Sequence, residues 1–176
     1  MIKYYINHFN QPRFILLLAV IIFFTANCED VFAQQPPPRP ISVYVNPAQG
    51  LIFGAFYQGN SGGTVTIFPD GSRSTTGDII QANLGYPFSP AIFEVDANLG
   101  TIITIMNGQD IKLTGTNGGS MNLHVGASSI VSPFISKVAS PGRTQLRIGG
   151  TLTVGSPLAN PAGSYNGNFS IIFMQQ

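Results

Sequence analysis

Two stretches near the end of the chain decide the fold: Arg147-Ile-Gly-Gly-Thr-Leu-Thr-Val-Gly155 and Ala162-Gly-Ser-Tyr-Asn-Gly-Asn-Phe-Ser-Ile-Ile-Phe173. Both alternate apolar residues with small or polar ones. In the second stretch the apolar residues that share one parity are Tyr165, Phe169, Ile171 and Phe173. Because successive side chains of a β-strand point to opposite faces, this pattern predicts a strand with one buried and one solvated face.

Similar short runs recur along the chain from residue 41 onward. They cover residues 41–45, 51–57, 64–68, 91–97, 101–106, 110–114 and 120–125. Residues 73–81 form a poorer, more polar run, and no window of about a dozen residues has a helical period. Short strands at regular spacing with turns between them are typical of sandwiches and barrels. The sequence therefore predicts an all-β fold, an antiparallel immunoglobulin-like (pilin-like) β-sandwich.

Turn residues separate these runs. Pro69-Asp-Gly-Ser72 predicts a tight turn, because proline fixes φ and glycine accepts a positive φ. Asn107-Gly and Thr116-Asn-Gly-Gly119 lie between alternating runs, and Asn-Gly in that setting predicts a β-hairpin. The Gly- and Ser-rich residues 58–63 are predicted to be a loop.

The first 33 residues have the features of a secretory signal peptide. Lys3 and Arg13 precede an apolar run at residues 14–24, and Val31-Phe-Ala33 predicts cleavage between Ala33 and Gln34. The apolar run is about half the roughly 20 residues that a membrane span needs, so a retained anchor is the weaker alternative. Lipidation at Cys28 is the other alternative to cleavage after Ala33. The predicted location is secreted, in the periplasm or on the extracellular surface of a bacterium.

The mature chain is predicted to contain a Pro-rich tether at 34–40 and a single β-sandwich domain at 41–176. Cys28 is the only cysteine, so removal of the signal peptide excludes disulfide, thiolate and zinc–cysteine chemistry in the mature chain. The net charge is +1, and no cluster of like charges exists to follow phosphates or anionic lipid. We therefore expect no nucleic-acid partner, no membrane insertion after signal removal, and no cofactor.

Several motifs resemble those of known families. Leu51-Ile-Phe-Gly-Ala-Phe56 resembles the Leu-x-Phe-Gly-x-Tyr stretch that opens secreted pilins of the spore-coat-U type. Ile148-Gly-Gly-Thr-Leu-Thr-Val154, followed by Pro161-Ala-Gly-Ser-Tyr165, resembles their closing pattern. The mature chain is more similar to a family of small secreted bacterial β-sandwich proteins of unknown function. That family shares the Phe-Gly start, a Gly-Gly-Thr-Val-Thr-Ile strand (residues 62–67 here), a Pro-Asp/x-Gly-x-Arg turn (residues 69–73) and a Gly-Gly-Thr-Leu/Gly-x-Tyr ending.

The resemblance implies a domain like an incomplete immunoglobulin fold, which is exported and assembled into a surface fibre through a donated strand. The partners would be copies of the chain itself or related surface subunits. Two alternating runs supply the residues for such self-assembly strands: Ile41, Val43 and Val45 in the first run, and Tyr165, Phe169, Ile171 and Phe173 in the last.

Residues that could support catalysis are few. Gly59-Asn-Ser-Gly-Gly63 matches the G-x-S-x-G pattern of serine hydrolases, but it stands between two strands with no helix after it. His124 is the only histidine of the mature chain that could act as its base. Glu94 and Asp96 share a strand face and are interpreted as solubilising carboxylates rather than an acid/base pair or a calcium site. We predict no catalytic, metal or cofactor-binding residues, and therefore no enzyme.

The leading prediction is a secreted, non-enzymatic structural or adhesive cell-surface protein, a fimbria-like subunit. The alternative is a secreted carbohydrate-binding module, and a hydrolase comes third. Glycan binding is suggested by the number of aromatic residues, namely Tyr44, Phe56, Tyr57, Tyr86 and Phe88. Sugar-binding platforms use exposed aromatic rings, and the chain has no tryptophan.

Overall fold

A computed structural model describes residues 39–176 of the chain. The predicted signal peptide, its cleavage site, Cys28 and residues 34–38 of the tether lie outside the described residues. No helix in the part of the chain that the structure describes is long and apolar enough to cross a membrane. The elements are a short 3₁₀ turn at Pro47–Gln49 and the strands β1 (Ser42–Val45), β2 (Phe56–Ile67), β3 (Arg73–Gln81), β4 (Ala91–Asp96), β5 (Ile102–Asn107), β6 (Ile111–Gly115), β7 (Ser120–Ser128), β8 (Phe134–Ile135), β9 (Thr144–Val154), β10 (Tyr165–Asn166) and β11 (Ile171–Gln175).

Strand β9 is the centre of the larger sheet. Its first half pairs with β4 and its second half with β2, while β7 pairs along its other side. Leu146, Ile148, Leu152 and Val154 point into the core, and Arg147, Thr151 and Thr153 point outward. Six of the eight strands of this sheet run in the order β1-β4-β9-β7-β6-β10; β2 pairs with β9, and β3 pairs with β2. This strand carries the first of the two decisive sequence stretches.

The smaller sheet has the order β11-β5-β8 and lies against the larger one. Ile103 of β5 and Phe134 of β8 pack in one cluster with Val95 of β4 and Leu146 of β9. All strand pairings are antiparallel. The predicted all-β, antiparallel immunoglobulin-like sandwich is confirmed.

The strand order matches that of an immunoglobulin domain, in which strands A, B, E and D form one sheet and C, F and G the other. The series β1-β4-β9-β7 corresponds to A-B-E-D, and β5 and β11 correspond to C and F. A strand at the position of G, beside β11, has no counterpart among residues 39–176. The small sheet therefore has a free edge at β11 in the described part of the chain.

The closing stretch, predicted to be one strand, forms two. Tyr165–Asn166 pairs with β6 in the large sheet, whereas Ile171–Gln175 pairs with β5 in the small one. The chain crosses between the sheets at residues 167–170, beginning at Gly167, where a Cβ atom would lie 2.6 Å from Leu113 Cδ2. The predicted faces are nevertheless correct, because Tyr165, Phe169, Ile171 and Phe173 all pack against the core.

Asn107-Gly108 does not form the predicted hairpin. Strand β5 belongs to the small sheet and β6 to the large one, so this turn carries the chain between sheets. The Asn107 amide donates to the carbonyls of Val125 and Gly126, at 3.0 and 2.9 Å. Thr116-Asn-Gly-Gly119 does close a hairpin, between β6 and β7, with Gly118 and Gly119 at positive φ.

Residues 73–81 form a full strand, β3, despite their polar composition. The strand pairs with β2, and Ile79 is its buried hydrophobic residue. Ser74 and Thr76 lie on the outer face, where the Oγ1 atoms of Thr76 and Thr64 are 2.7 Å apart. A strand at the edge of a sheet needs little apolar surface, which explains why this one looks weak in the sequence.

Candidate functional site

Strands β1 and β11, the two predicted self-assembly strands, lie along the same side of the sandwich. Within residues 39–176, β1 pairs with β4 alone and β11 with β5 alone, so each is an edge strand. The Ile41 backbone amide donates to Gln175 Oε1 at 3.1 Å and joins the two edges. We call Ile41, Val43, Val45, Ile171 and Phe173 the open edge.

The open edge exposes apolar side chains that face the core side of the large sheet. Val43 lies opposite Val95 and Val45 opposite Phe93, so each pair shares one face. Val95 and Phe93 are 1% and 8% exposed, whereas Val43 and Val45 are 38% and 60% exposed. The core therefore lacks a cover over β1 in the part of the chain that the structure describes.

Three residues of the predicted self-assembly strands, Phe173, Phe169 and Tyr165, are more buried than Val43 and Val45. Phe173 packs against Phe93 with ring centroids 5.7 Å apart, and Phe169 meets the same ring edge-on at 6.4 Å. Tyr165 lies in β10, at the opposite end of the large sheet from β1, and donates its hydroxyl to the Pro161 carbonyl at 2.7 Å. The structure therefore brings together the residues of the open edge but leaves Tyr165 apart from them.

The outer face of the small sheet is also apolar, a feature that the sequence analysis did not predict. Its exposed residues are neighbours across the strands: Ile102 lies opposite Ile135, and Met106 lies opposite Ile172. Met174 is also exposed and lies on β11, on the same face as Ile172. Strand β5 is apolar on both faces, a composition that is usual for strands buried on both sides. This apolar surface could therefore have been predicted from the apolar residues on both faces of β5.

The G-x-S-x-G stretch is a bulge within β2, and the predicted loop is wrong. The register of β2 on β3 shifts between Gln58 and Gly63, which leaves residues 59–62 unpaired opposite Asp78 of β3. The Ser61 amide lies 3.4 Å from Asp78 Oδ2. His124 is on β7, opposite Thr151, and is not brought to Ser61 by any strand pairing. The arrangement contains no nucleophile elbow.

His124 instead forms an exposed pair with Asp110. Its Nδ1 atom lies 2.7 Å from Asp110 Oδ1, and Asn122 donates to the other carboxylate oxygen at 3.3 Å. The hydrogen bond from His124 is the main reason that the pKa of Asp110 is lowered. The pair lies on the solvated outer face of the large sheet.

We expect His124→Ala to raise the pKa of Asp110 back toward 3.8. A carboxylate whose folded pKa is depressed stabilises the fold above its unfolded pKa, and this contribution is lost as the pH falls through the folded pKa. As the pH falls below the pKa of Asp110 in the unfolded chain, the free energy of unfolding of the wild type should therefore decline more steeply than that of the variant. Above that pH the two should depend on pH in the same way. Carbon-detected NMR titration of Asp110 measures the shift, and an unchanged pKa in the variant would contradict the pairing.

Glu94 and Asp96 share the outward parity of β4, but they bind different arginines. Glu94 accepts a hydrogen bond from Arg143 at 2.9 Å, and this bond is the main reason that the pKa of Arg143 is raised. Asp96, which the sequence predicts to be solvated, is 6% exposed and lies 3.4 Å from Arg39. Asp96 lies opposite Ser42 of β1, and its Oδ1 atom is buried without a hydrogen-bond partner among the described residues. Within residues 39–176 no cluster of three or more His, Cys, Asp or Glu side chains could hold a metal ion.

The aromatic residues suggested for glycan binding do not share one platform. The guanidinium of Arg143 covers the ring of Tyr44 at 3.7 Å, and that of Arg73 covers Phe88 at 4.4 Å. Phe56 is partly buried against the core, while Tyr57 and Tyr86 are exposed. A different aromatic residue, Phe68, lines an open depression of about 520 Å³ together with Pro69, Asp70, Ser129, Gln145 and Arg147.

Comparison with known proteins identifies the family. Residues 43–173 match the family model described as Domain of unknown function (DUF4402). Neither the curated proteins nor the solved structures contain a match to this chain. The resemblance to a family of unknown function is therefore confirmed, while the resemblance to spore-coat-U-type pilins stays a prediction. Because the match covers most of the chain, the protein belongs to the DUF4402 family.

Proposed function

We propose that the protein is a secreted, non-enzymatic structural or adhesive protein of the bacterial cell surface, a fimbria-like subunit that accepts an extended strand from another subunit along the open edge. The observation that carries the proposal is the exposure of Val43 and Val45 on the core side of β1. Side chains with this orientation are normally covered by the opposite sheet.

A donated strand would complete both halves of this edge. Its backbone would pair with the free edge of β11, and its apolar side chains would cover Val43 and Val45. Addition of a strand to an exposed sheet edge is a common mode of peptide recognition, in which main-chain hydrogen bonds supply affinity and alternate side chains supply specificity. Burying the exposed part of each valine would contribute on the order of 1 kcal/mol.

Two further features support assembly. The chain carries 8 basic and 7 acidic residues, so copies repel one another little. Edge strands in proteins that stay monomeric are usually protected by charges, prolines or bulges, and β1 and β11 contain none of these. The signal-peptide features of residues 1–33 support export, and the resemblance to secreted pilins supports a fibre as the product.

The proposal predicts that Val45→Lys prevents assembly of the chain from residue 34 to 176. A lysine at this position places a charge where the apolar side chain of the donated strand would lie. Because Val45 is largely exposed, the substitution should leave the fold of the single subunit intact. Light scattering after size-exclusion chromatography and negative-stain electron microscopy should show polymers or dimers for the wild type and monomers for the variant.

Leu158→Lys is the matched control, because Leu158 is 93% exposed and does not belong to the open edge. It should assemble like the wild type. Equal oligomer size for Val45→Lys and the wild type would rule out the open edge as the assembly site. A wild type that remains monomeric at every concentration would rule out self-assembly.

A further inference from the structure

The depression beside Phe68 is built on the outer face of the large sheet. The turn from Phe68 to Ser72 closes with a hydrogen bond of 2.9 Å from the Phe68 amide to the Ser72 carbonyl. The turn folds over β9 at Gly149, where a Cβ atom would lie 3.2 Å from Pro69 Cδ and 2.3 Å from the Ile67 carbonyl oxygen. A side chain at position 149 would displace the turn, so the glycine is what allows this wall to form.

The opposite wall of the depression, at Ser129 and Arg147, is held by two hydrogen bonds. The Ser129 amide donates to the Arg147 carbonyl at 2.8 Å, and the Arg147 amide donates to Ser129 Oγ at 3.0 Å. Gln145 and Arg147 project outward from β9, whose neighbouring residues Leu146 and Ile148 are fully buried. The side chains that line the depression are therefore mounted on hydrogen-bonded strands and a closed turn.

The lining combines an apolar ring with polar side chains. Phe68 is 43% exposed. Among the described residues, the side chains of Gln145 and Arg147 form no hydrogen bond or ion pair. Asp70 accepts hydrogen bonds from the Ser72 amide and hydroxyl at 2.8 and 2.7 Å, and these bonds lower its pKa. The site therefore offers one ring face, two side-chain donors and one ionised acceptor.

This combination matches a sugar better than other ligands. A pyranose presents an apolar C–H face, for which Phe68 is suited, and hydroxyl groups that both donate and accept hydrogen bonds. A phosphate or a polyanion would be repelled by Asp70 and would meet a single cation, Arg147. The volume of about 520 Å³ lies within the range of small-molecule sites, roughly 300–1,000 Å³.

We propose that the depression formed by Phe68, Asp70, Ser129, Gln145 and Arg147 binds a neutral saccharide, with Phe68 stacked on the sugar ring. The hydroxyl groups accept hydrogen bonds from Arg147 and Gln145 and donate one to Asp70. This site is separate from the open edge, because it lies on the outer face of the large sheet. A subunit that assembled through the open edge would keep the depression free to bind a surface glycan.

The test is an NMR titration of the chain from residue 34 to 176 with cellotetraose, xylotetraose, mannotriose and lactose as probes. At least one probe should shift the side-chain amide of Gln145 and the backbone amide of Ser129. Phe68→Ala and Arg147→Ala should each weaken that binding by about tenfold or more, equivalent to roughly 1.4 kcal/mol. Both residues are exposed, and thermal denaturation of each variant verifies that its fold is retained.

Tyr86→Ala is the control, because Tyr86 is an exposed aromatic residue outside the depression. It should bind like the wild type. The proposal is overturned if no probe shifts the resonances at about 10 mM, or if Phe68→Ala binds like the wild type. Repeating the titration with Val45→Lys separates this result from assembly, since that substitution does not touch the depression.

Discussion

Leu146→Ala is expected to lower the free energy of unfolding by about 3–5 kcal/mol. Leu146 is 0% exposed and lies on the central strand β9, opposite Phe93 of β4. It packs in a cluster with Ile103 and Phe134, which belong to the small sheet, so its side chain joins the two sheets. Because strands on both sides hold the β9 backbone, the surroundings cannot collapse into the cavity that the substitution leaves.

Chemical denaturation in urea, monitored by circular dichroism, measures this loss. The matched control is Thr153→Ala on the outward face of the same strand, which should change stability by no more than about 0.5 kcal/mol. A loss below about 1 kcal/mol for Leu146→Ala, or equal losses for the two variants, would show that the sheets are not joined at this position.

The sequence allowed us to predict which side chains of a strand face the core, but not which of the two sheets the strand joins. Alternation is a local property, so the parity of Phe169, Ile171 and Phe173 was correct. Whether two neighbouring runs pair with each other depends on contacts between distant parts of the chain. Asn107-Gly108 satisfied the hairpin rule, yet the pairing of β5 with β11 and of β6 with β7 sends the chain from one sheet to the other.

The candidate sites were predictable to different degrees. The alternation at residues 41–45 placed Val43 and Val45 on one face of a strand, but their exposure depends on the absence of a covering strand among the described residues. Phe68 was overlooked, although it has the parity of Thr64 and Thr66 and must therefore point away from the core. An aromatic residue with outward parity directly before a tight turn was the signal.

The depression illustrates a general difficulty. Gln145 and Arg147 are far from Phe68 in the sequence, and the pairing of β2 with β9 brings them near it. Neither residue belongs to a motif, and polar residues on the outer face of a sheet are common. A site assembled from such residues becomes visible once the turn is seen to fold over Gly149.

Gly62→Ala should destabilise the protein by about 2–4 kcal/mol, because the bulge formed by the G-x-S-x-G stretch requires glycine at this position. Gly62 is buried with a φ of +68°, a conformation that costs a residue with a side chain about 1–2 kcal/mol. A Cβ atom would also lie 2.3 Å from the Val154 carbonyl oxygen and 2.7 Å from that of Gly155. These are backbone atoms of β9 and the residue after it, so the clash forces the strands apart and adds a comparable loss.

Gly118→Ala isolates the steric part of this effect. Gly118 has a φ of +87°, but no atom lies within 4 Å of the position that a Cβ atom would occupy, so only the backbone strain of about 1 kcal/mol should appear. Ser61→Ala should change stability by no more than about 0.5 kcal/mol. The motif is then a bulge that needs glycine for space, and its serine is incidental. Labelling of Ser61 by a fluorophosphonate probe, lost in Ser61→Ala, would reverse this conclusion and restore the hydrolase interpretation.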